Sequence, residues 1–380
     1  MNLVPKRISQ LGRVVTGKTP PTSRQEFFGG DYLFVTPSDL EYDHYYCRKT
    51  ERTVTEEAKS ALPNQFVPAD AVMFTCIGAT IGKCGIAPAE CLTNQQINSV
   101  VANEDTDPKF LYYLLCHNLD AVKNLGGGAA TPIVNKSKFE EVEFLVPSFR
   151  DQQAVSAILS AYDDVIENNR RRMALLEEAA RQLYREWFVR LRFPGHEHTR
   201  ITNGVPQGWE TKSLGKLVEI KKGRNITKAT VEEGMVPVVA GGLEPAYFHS
   251  TANAKGPVVT VSASGANAGY VNIYLEDIWA SDCSYISAEW TQHVYYFYCL
   301  LKYRQQELFA FQKGAAQPHV YPKDLQRLDV TSPPNRLLQH LAEAVGPPFA
   351  SIANLTAQNR QLRAARGLLL PRLMSGELAV

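Results

Sequence analysis

Apolar residues recur with alternating spacings of four and three in the middle of the chain, where residues 151–189 contain no Gly or Pro. The positions are Val155, Leu159, Tyr162, Ile166, Asn169, Met173, Leu176, Ala180, Leu183 and Trp187. This heptad pattern predicts a long helix with an apolar seam that packs against a partner helix. At about 1.5 Å per residue the helix would be roughly 60 Å long.

A second seam with similar spacing lies near the end of the chain. Its positions are Ile352, Leu355, Asn359, Leu362, Arg366, Leu369 and Leu373. Because proline disrupts helix interiors, Gly346-Pro347-Pro348 should interrupt this helix, and Pro371 should end or kink it. The remaining segment of about 22 residues would be roughly 33 Å long. We expect the two seams to pack antiparallel, and the polar Asn169 and Asn359 either fix their register or face solvent.

The rest of the chain repeats itself. The matching pairs are Leu11–Val15 with Leu214–Val218, Ile77–Gly82 with Ser264–Gly269, Gly128–Val134 with Gly314–Val320, and Pro147 with Pro333. These pairs are collinear, and their offsets of 203, 187, 186 and 186 residues drift as loop insertions would make them drift. The pattern indicates one duplicated unit, too long for a solenoid repeat.

Each copy is rich in Gly, Pro and short β-branched or aromatic runs. Val72–Thr75 and Val258–Val261 predict buried strands, and Phe110–Leu119 and Val294–Leu301 predict short helices in matching places. We therefore expect an α+β chain in which two tandem α/β domains are separated by two long helices packed as an antiparallel coiled coil. The expected segments are residues 1–150 (first domain), 151–195 (first helix), 196–335 (linker and second domain) and 336–380 (second helix).

Composition is typical of a globular protein. The 380 residues include 40 basic and 39 acidic side chains, and the formal charge of +1 excludes a histone-like protein. The hydrophobic content of 44% excludes a disordered chain. We expect no membrane span and no secretory signal at Met1–Gln10. Seven cysteines, an odd number, do not suggest a disulfide framework, so a reducing cytoplasm is the expected location.

Neither copy carries a surplus of basic residues. Residues 1–150 contain 15 basic and 17 acidic side chains, and residues 205–335 contain 12 of each. A protein that binds nucleic acid by itself usually has a basic footprint. If this chain binds DNA, other subunits are expected to neutralise much of the phosphate charge.

One segment, Gly12–Thr19, matches the phosphate-loop pattern of two glycines followed by Lys and Thr. That chemistry requires a buried strand before the loop and a helix that begins at the lysine. Pro20 and Pro21 follow at once and disfavour a helix there. A phosphate-loop NTPase nevertheless remains an alternative, which ATP binding lost in Lys18→Ala would support.

Other catalytic patterns are weak. Asp39 with Glu57 and Lys59 matches a nuclease motif only loosely, and a solvated helix start is the simpler interpretation. No Cys-x-x-Cys pair is present, and His196 and His198 fall in the linker between the copies. The sequence therefore predicts no catalytic or metal site.

Polar loops are the better candidates for binding. Asn94-Gln95-Gln96 offers side chains able to read adenine edges, and its aligned partner is Ser281-Asp282-Cys283. Different polar groups in equivalent positions would suit two domains that read different half-sites. The Gly-rich turns Gly78–Lys83 and Gly265–Gly269 could approach a phosphate, although tight hairpin turns without a ligand are favoured.

Several stretches, specific only in combination, carry a family resemblance. They are Leu11–Pro20, Ala79–Lys83, Pro147–Gln153, Gly204–Glu210 and Leu368–Glu377. With the internal repeat, they make the chain resemble the specificity subunits of type I restriction-modification systems over essentially its whole length. The first half lacks the Pro-x-Gly-Trp opening that the second half has at Pro206–Trp209.

The resemblance implies two target-recognition domains, each reading one half of a bipartite site in double-stranded DNA. It also implies that the long helices set the spacing and dock two DNA adenine methyltransferase subunits, which bind S-adenosylmethionine. Motor-nuclease subunits, which use ATP and Mg²⁺, would join for restriction. This chain would itself be non-catalytic, without a cofactor or metal. A tandem scaffold without DNA contact remains the other alternative.

We expect DNA contacts from loop residues and basic residues in both domains. In the first domain they are Lys18, Thr19, Lys83, Gln95, Gln96, Lys136 and Lys138. In the second domain they are Lys221, Lys222, Arg224, Lys313, Gln317 and His319. Asn169 and Asn359 are the residues expected to fix helix register.

Overall fold

A computed structural model describes residues 2–42, 44–126, 132–314, 317–378 and 380. The chain forms two compact units: unit 1 is Met1–Asn168 with Asn359–Val380, and unit 2 is Asn169–Gln358. Both boundaries fall inside long helices, so each unit contains a part of each helix. Within the third repeated pair, residues 128–131 and 315–316 lie outside the described residues.

Unit 1 is built on two four-stranded sheets. Its strands are β1 (Val4–Arg7), β2 (Gly12–Thr16), β3 (Phe28–Val35), β4 (Arg52–Val54), β5 (Phe66–Val67), β6 (Val72–Thr75), β7 (Cys84–Ile86), β8 (Cys91–Thr93), β9 (Ile97–Ala102) and β10 (Glu143–Val146). Its helices are α1 (Ile8–Leu11), α2 (Glu56–Ala61), α3 (Pro108–His117), α4 (Leu119–Asn124), α5 (Lys136–Glu140) and the first part of α6 (Phe149–Tyr184). One sheet is antiparallel with the order β2-β9-β6-β7; the other, β4-β3-β8-β5, contains the parallel pair β3–β8. β1 pairs with β10.

The core of unit 1 lies between the antiparallel sheet and α3. Every residue of β6 is buried, and the predicted strand is confirmed. α3 begins where Pro108 presets the helical backbone and where the Asp107 carboxylate accepts a hydrogen bond from the Phe110 amide at 2.8 Å. This helix buries a run of apolar and aromatic side chains that includes Leu111 and Tyr113.

Unit 2 repeats this arrangement. Its strands are β11 (Ile201–Thr202), β12 (Val205–Pro206), β13 (Glu210–Ser213), β14 (Lys221–Lys222), β15 (Val236–Val239), β16 (Tyr247–His249), β17 (Val258–Ser262), β18 (Val271–Tyr274), β19 (Trp279–Ala280), β20 (Cys283–Ser287) and β21 (Asp329–Ser332). Its helices are the rest of α6, with a π-helical turn at Arg185–Val189, then α7 (Leu214–Leu217), α8 (Val294–Tyr303), α9 (Gln305–Ala310), α10 (Pro322–Gln326) and most of α11 (Asn335–Met374). The order β14-β20-β17-β18 matches β2-β9-β6-β7, and β13–β21 matches β1–β10. The predicted duplication is confirmed.

The long helices pack antiparallel in each unit. In unit 1, Val155 and Leu159 of α6 belong to one apolar core with Leu369 and Leu373 of α11. The Asn359 amide Nδ2 donates to a carbonyl oxygen of α6 at 3.4 Å. Residue numbers therefore rise along α6 in the direction in which they fall along α11, so the two helices are antiparallel. These helices are amphipathic, and in the described part of the chain no helix is long and apolar enough to cross a membrane.

In unit 2 the same two helices meet through Asn169, whose Nδ2 donates to Gln358 Oε1 at 2.9 Å. Further along, Ala180 and Tyr184 share a core with Leu341 and Val345. Asn169 and Asn359 are each 2% exposed, so both seam asparagines are buried and bonded rather than facing solvent. Their burial supports the register role, which stays a prediction.

A polar network crosses the seam of unit 1. Arg366 Nη1 donates to Asp163 Oδ1, and the Tyr113 hydroxyl donates to Asp163 Oδ2. The Asp163 side chain is only 1% exposed. Unit 2 has a related contact, because the Tyr298 hydroxyl donates to Glu177 Oε1 at 2.5 Å. Arg366, the charged residue in the apolar seam of α11, is therefore paired with a buried carboxylate.

The expected interruption of the second helix is wrong. α11 runs for 40 residues through Gly346, Pro347 and Pro348, and also through Pro371. Pro347 and Pro348 have no N–H, so the carbonyls of residues 343 and 344 lose the amide donors that a helix would supply. Both residues are exposed, so water can bond these carbonyls instead. Each interior proline costs about 3 kcal/mol, but burial of flanking apolar side chains contributes about 1.5–3 kcal/mol each. The buried flanking side chains are Leu341, Val345 and Phe349.

Candidate nucleic-acid interface

Three loops of unit 1 meet at one end of its antiparallel sheet, where β2 and β6 end and β7 and β9 begin. The amide of Lys18, just after β2, donates to the Thr93 carbonyl at 2.8 Å. Thr19 follows, and its hydroxyl donates to Gln95 Oε1 at 2.7 Å. The Cys76 amide donates to the Gln96 carbonyl at 2.8 Å. We call this surface the loop end of unit 1.

Three glycines make the loop end possible. A Cβ on Gly17 would lie 2.1 Å from the Thr93 carbonyl oxygen, so only glycine allows the two loops to approach this closely. In the turn between β6 and β7, Gly78 and Gly82 have φ of 58° and 99°. The turn joins the paired strands β6 and β7 and contains a 3-10 helix at Gly78–Thr80, so it is a hairpin connection but a longer one than the tight turn that the sequence favoured.

Unit 2 has the corresponding loop end, where β14 and β17 end and β18 and β20 begin. The Arg224 amide donates to the Ala280 carbonyl at 2.9 Å, and this bond corresponds to the one from the Lys18 amide to the Thr93 carbonyl in unit 1. The Trp279 indole donates to the Arg224 carbonyl at 2.9 Å, and the guanidinium lies 6.0 Å from the indole ring centre. A Cβ on Gly223 would lie 2.1 Å from the Ser281 carbonyl oxygen, so the close approach is repeated.

A second group of loops joins this end of unit 2. Ser264 forms a β-bridge with His319, and its hydroxyl donates to Asp282 Oδ2. The backbones of Lys313 and His319 exchange two hydrogen bonds at 3.0 and 2.9 Å, which forms a small hairpin. Gln317 lies within it. The loop end of unit 2 thus presents a cation, a carboxylate, an imidazole and an amide.

The structure corrects the alignment of the two polar loops. In unit 1 the Gln96 carbonyl accepts from Cys76, and in unit 2 the Asp282 carbonyl accepts from Ala263 at 3.1 Å. Asp282 therefore corresponds to Gln96. Gln95 is an additional residue in the longer loop of unit 1.

The predicted contact residues fall into two groups. Those at the loop ends are Lys18, Thr19, Lys83, Gln95 and Gln96 in unit 1, and Lys222, Arg224, Lys313, Gln317 and His319 in unit 2. Lys136, Lys138 and Lys221 lie elsewhere. Lys136 and Lys138 are on α5, where Lys136 pairs with Glu140 at 3.5 Å and Lys138 Nζ lies 3.5 Å from the Leu125 carbonyl. Lys221 Nζ lies 4.1 Å from the ring centre of Trp290.

Two of the loop-end lysines bind parts of their own unit. Lys83 Nζ donates to the Pro37 carbonyl at 3.1 Å. Lys313 Nζ pairs at 2.6 Å with Asp324, whose side chain is 8% exposed. Both side chains thereby hold loops in place.

Sequence reasoning did not select Ser264, Asp282 or Trp279 as site residues. Ser264 begins a repeated motif, and Asp282 lies in the loop aligned with Asn94–Gln96, so the repeat carried a signal for both. Trp279 lies outside every repeated motif, and its role follows only from its bond to Arg224.

Among the described residues, the loop ends contain no group of side chains that could hold a metal ion. Burial raises the pKa of Cys76 and of Cys283 to about 12, so both thiols stay protonated at neutral pH. The phosphate-loop interpretation also fails, because residues 17–21 are irregular and no helix begins at Lys18. The loop ends do offer hydrogen-bond donors and acceptors, among them the side chains of Gln95 and Asp282.

Comparison with known proteins also divides the chain into two parts, because one family model matches it in two separate segments. Residues 2–178 and 206–341 match the family model of the type I restriction modification DNA specificity domain. The chain is 29% identical to the type I restriction enzyme MjaIX specificity subunit of Methanocaldococcus jannaschii, over 99% of this chain and 93% of that protein. It is 30% identical to the HindI specificity subunit of Haemophilus influenzae over 43% of this chain and 37% of that protein.

Among solved structures, the fold is similar to the crystal structure of a type I restriction-modification S subunit from M. genitalium. The TM-score is 0.57 at 16% sequence identity, and the match covers 98% of this chain and 96% of that one. At this identity the similarity shows a common fold.

Proposed function

The chain belongs to the type I restriction-modification DNA specificity family, and we propose that each of its units reads one half of a bipartite site in double-stranded DNA. One observation supports this most strongly. Two equivalent sheets each gather exposed or half-buried hydrogen-bonding side chains at the same end, and those side chains differ between the units. Equivalent scaffolds with different polar groups suit the reading of two different half-sites.

The charge distribution suits a complex in which this chain and its partner subunits contribute different parts of DNA binding. Each loop end offers few cations that are not already bound within the unit, and neither copy has a basic surplus. Phosphate contacts dominate the affinity of most DNA-binding proteins. Partner subunits would therefore supply much of the affinity, and this chain the choice of sequence.

Partners and cofactors extend the proposal. Two DNA adenine methyltransferase subunits would dock on the long helices and bind S-adenosylmethionine, and motor-nuclease subunits would bring ATP and Mg²⁺ for restriction. This chain would bind no cofactor and catalyse no reaction itself. The helices α6 and α11 would set the spacing between the half-sites.

Methylation mapping tests the function. The genome of the host is sequenced with detection of N6-methyladenine, with and without this gene. We expect one bipartite motif to lose its methylation when the gene is deleted and to regain it on complementation. An unchanged methylation pattern would contradict the proposal and favour a scaffold without DNA contact.

A further inference from the structure

The amide of Gln95 is held in one orientation. Its Oε1 accepts two hydrogen bonds from Thr19, one from the hydroxyl at 2.7 Å and one from the backbone amide at 3.3 Å. A backbone N–H can only donate, so the atom that faces it must be the amide oxygen. The NH₂ group therefore points away from Thr19, on a residue that is exposed.

This orientation restricts what Gln95 can read. A free glutamine recognises adenine with a donor and an acceptor together, to N7 and from the N6 amino group. Because Thr19 occupies the acceptor, Gln95 offers only donors to a ligand. Donors match guanine, whose O6 and N7 both accept, or thymine O4. Adenine N7 also accepts, but its N6 amino group would then face no acceptor on Gln95.

The matched loop of unit 2 has the opposite polarity. Asp282 can only accept hydrogen bonds when ionised, and its side chain is half-buried rather than enclosed. The Ser264 hydroxyl donates to its Oδ2 and orients the carboxylate. Within the described residues Oδ1 has no donor, so it is the oxygen left for a ligand. An acceptor at this place matches the amino group of cytosine or adenine.

We propose that Gln95 reads a hydrogen-bond acceptor on a base of one half-site, and that Asp282 reads a base amino group in the other. The inference rests on the proposed DNA-reading function. Thr19 and Ser264 are then positioning residues, because each acts through the side chain that it orients.

Reversing the polarity of each reader is the direct test. Host cells carry Gln95→Glu or Asp282→Asn in place of the wild-type gene, and their methylated motifs are mapped. Gln95→Glu should change one position of one half-site from guanine or thymine to cytosine or adenine. Asp282→Asn should relax one position of the other half-site. The preference for the original base should fall about tenfold to a hundredfold.

Matched controls separate base reading from general disturbance. Gln10 Oε1 also accepts a backbone N–H, from Arg7 at 2.8 Å, and it lies near the start of β2, away from the loop end. Asp277 Oδ1 accepts from the Gly256 amide at 2.9 Å, before β17 begins. Gln10→Glu and Asp277→Asn should leave the motif unchanged.

The positioning role of Thr19 has its own test. Thr19→Val removes the hydroxyl, which makes the shorter bond at 2.7 Å, and leaves Gln95 Oε1 only the longer bond from the backbone amide at 3.3 Å. The Gln95 amide is then held less firmly and can turn more often, so the discrimination against adenine at the position that Gln95 reads should weaken. Thr211→Val is the control, because among the described residues that hydroxyl hydrogen-bonds to Thr331 alone, on the β13–β21 pair, at 3.3 Å.

The outcomes distinguish this inference from the function beneath it. If the wild-type gene confers a bipartite motif and neither Gln95→Glu nor Asp282→Asn alters it, the readers are misassigned and the function stands. The readers are also misassigned if a variant changes a position of the motif to a base without the hydrogen-bonding group predicted for that variant. If the wild-type gene confers no motif, the proposed function itself is wrong. The half-site read by the other unit should stay unchanged in each variant, which shows that the variant has folded.

Discussion

Arg366 occupies an apolar position of the α11 seam, where the heptad pattern alone makes it a misfit. The structure pairs it with Asp163, which also accepts from Tyr113. A buried carboxylate that loses its partner keeps its charge without compensation, so the pair matters most when only one member is removed. Buried polar networks of this kind can also select one helix register.

Arg366→Met should therefore lower the free energy of unfolding by about 3–5 kcal/mol, because it removes the guanidinium that balances the charge of the buried Asp163 carboxylate. Urea unfolding measures the loss. The double variant with Asp163→Asn should recover much of the stability. Arg372→Met is the control: Arg372 pairs with Glu377 at 2.8 Å on an exposed surface, and its loss should cost less than about 1 kcal/mol. Equal losses in the two single variants would contradict this account.

A second residue-scale prediction concerns pH. Burial by itself would raise the pKa of Asp324, but hydrogen bonds from Lys313 and from the Tyr321 amide outweigh it and lower the pKa below 3.8. A lowered pKa stabilises the folded state above the ordinary carboxyl range, and that stability is lost as the pH falls through the folded value. The hairpin between Lys313 and His319 should thus loosen only below about pH 4.

Hydrogen exchange of the Lys313 and His319 amides reads out this loosening, because the two backbones bond each other. Asp324→Asn should give faster exchange already at neutral pH. If the variant and the wild type exchange alike at pH 7, the Lys313–Asp324 pair does not hold the hairpin.

At the scale of elements, α11 shows how tertiary packing overrides local preference. Pro347 and Pro348 would end an isolated helix. Here Phe349 is 1% exposed and stacks on Tyr295 of α8 with ring centres 4.4 Å apart, so the residues after the prolines are held against α8 within unit 2. Helix propensity is a weak prior when an amphipathic face is buried on both sides of the disruption.

Pro347→Ala should consequently stabilise the protein, by about 2 kcal/mol after allowing for the greater freedom of the unfolded chain. The side chain is exposed, so alanine should create no cavity. Thermal unfolding should show a higher Tm. A lower Tm would mean that the proline shapes a bend on which the packing of Phe349 depends.

At the scale of the whole molecule, the chain is two copies of one fold, each completed by parts of both long helices. The helices belong to the cores of both units, as Val155 and Leu373 do in unit 1 and Ala180 and Leu341 do in unit 2. Helix length is then part of the architecture rather than a linker property.

Deleting a matched heptad from both helices should shorten the recognised spacer. Residues 170–176 of α6 face residues 351–357 of α11 in the register set by the Asn169–Gln358 bond. The double deletion shortens each helix by about 10 Å, which corresponds to roughly three base pairs of spacer, and both half-sites should stay unchanged. Methylation mapping reports the spacer. Deletion from α6 alone should break the register and abolish methylation, and an unchanged spacer in the double deletion would refute the role in spacing.

Sequence patterns were sufficient for the elements and the duplication because these depend on local periodicity. The seam positions of α6 are all buried or half-buried, and the strands at Val72 and Val258 lie where the apolar runs predicted them. For the site, most of the predicted loop residues reach the loop ends. Lys136, Lys138 and Lys221 do not, because sequence proximity to a motif does not say which way a side chain points.

By itself, the sequence determined the two-copy α+β organisation, the paired helices and the family, since periodicity, repetition and motifs are properties of the chain in one dimension. Only the tertiary structure decided that α11 continues through its prolines, that Arg366 meets Asp163, and that Asp282 corresponds to Gln96. Each of these depends on contacts between residues far apart in the chain, where the free energy of burial or of a paired charge exceeds the local preference.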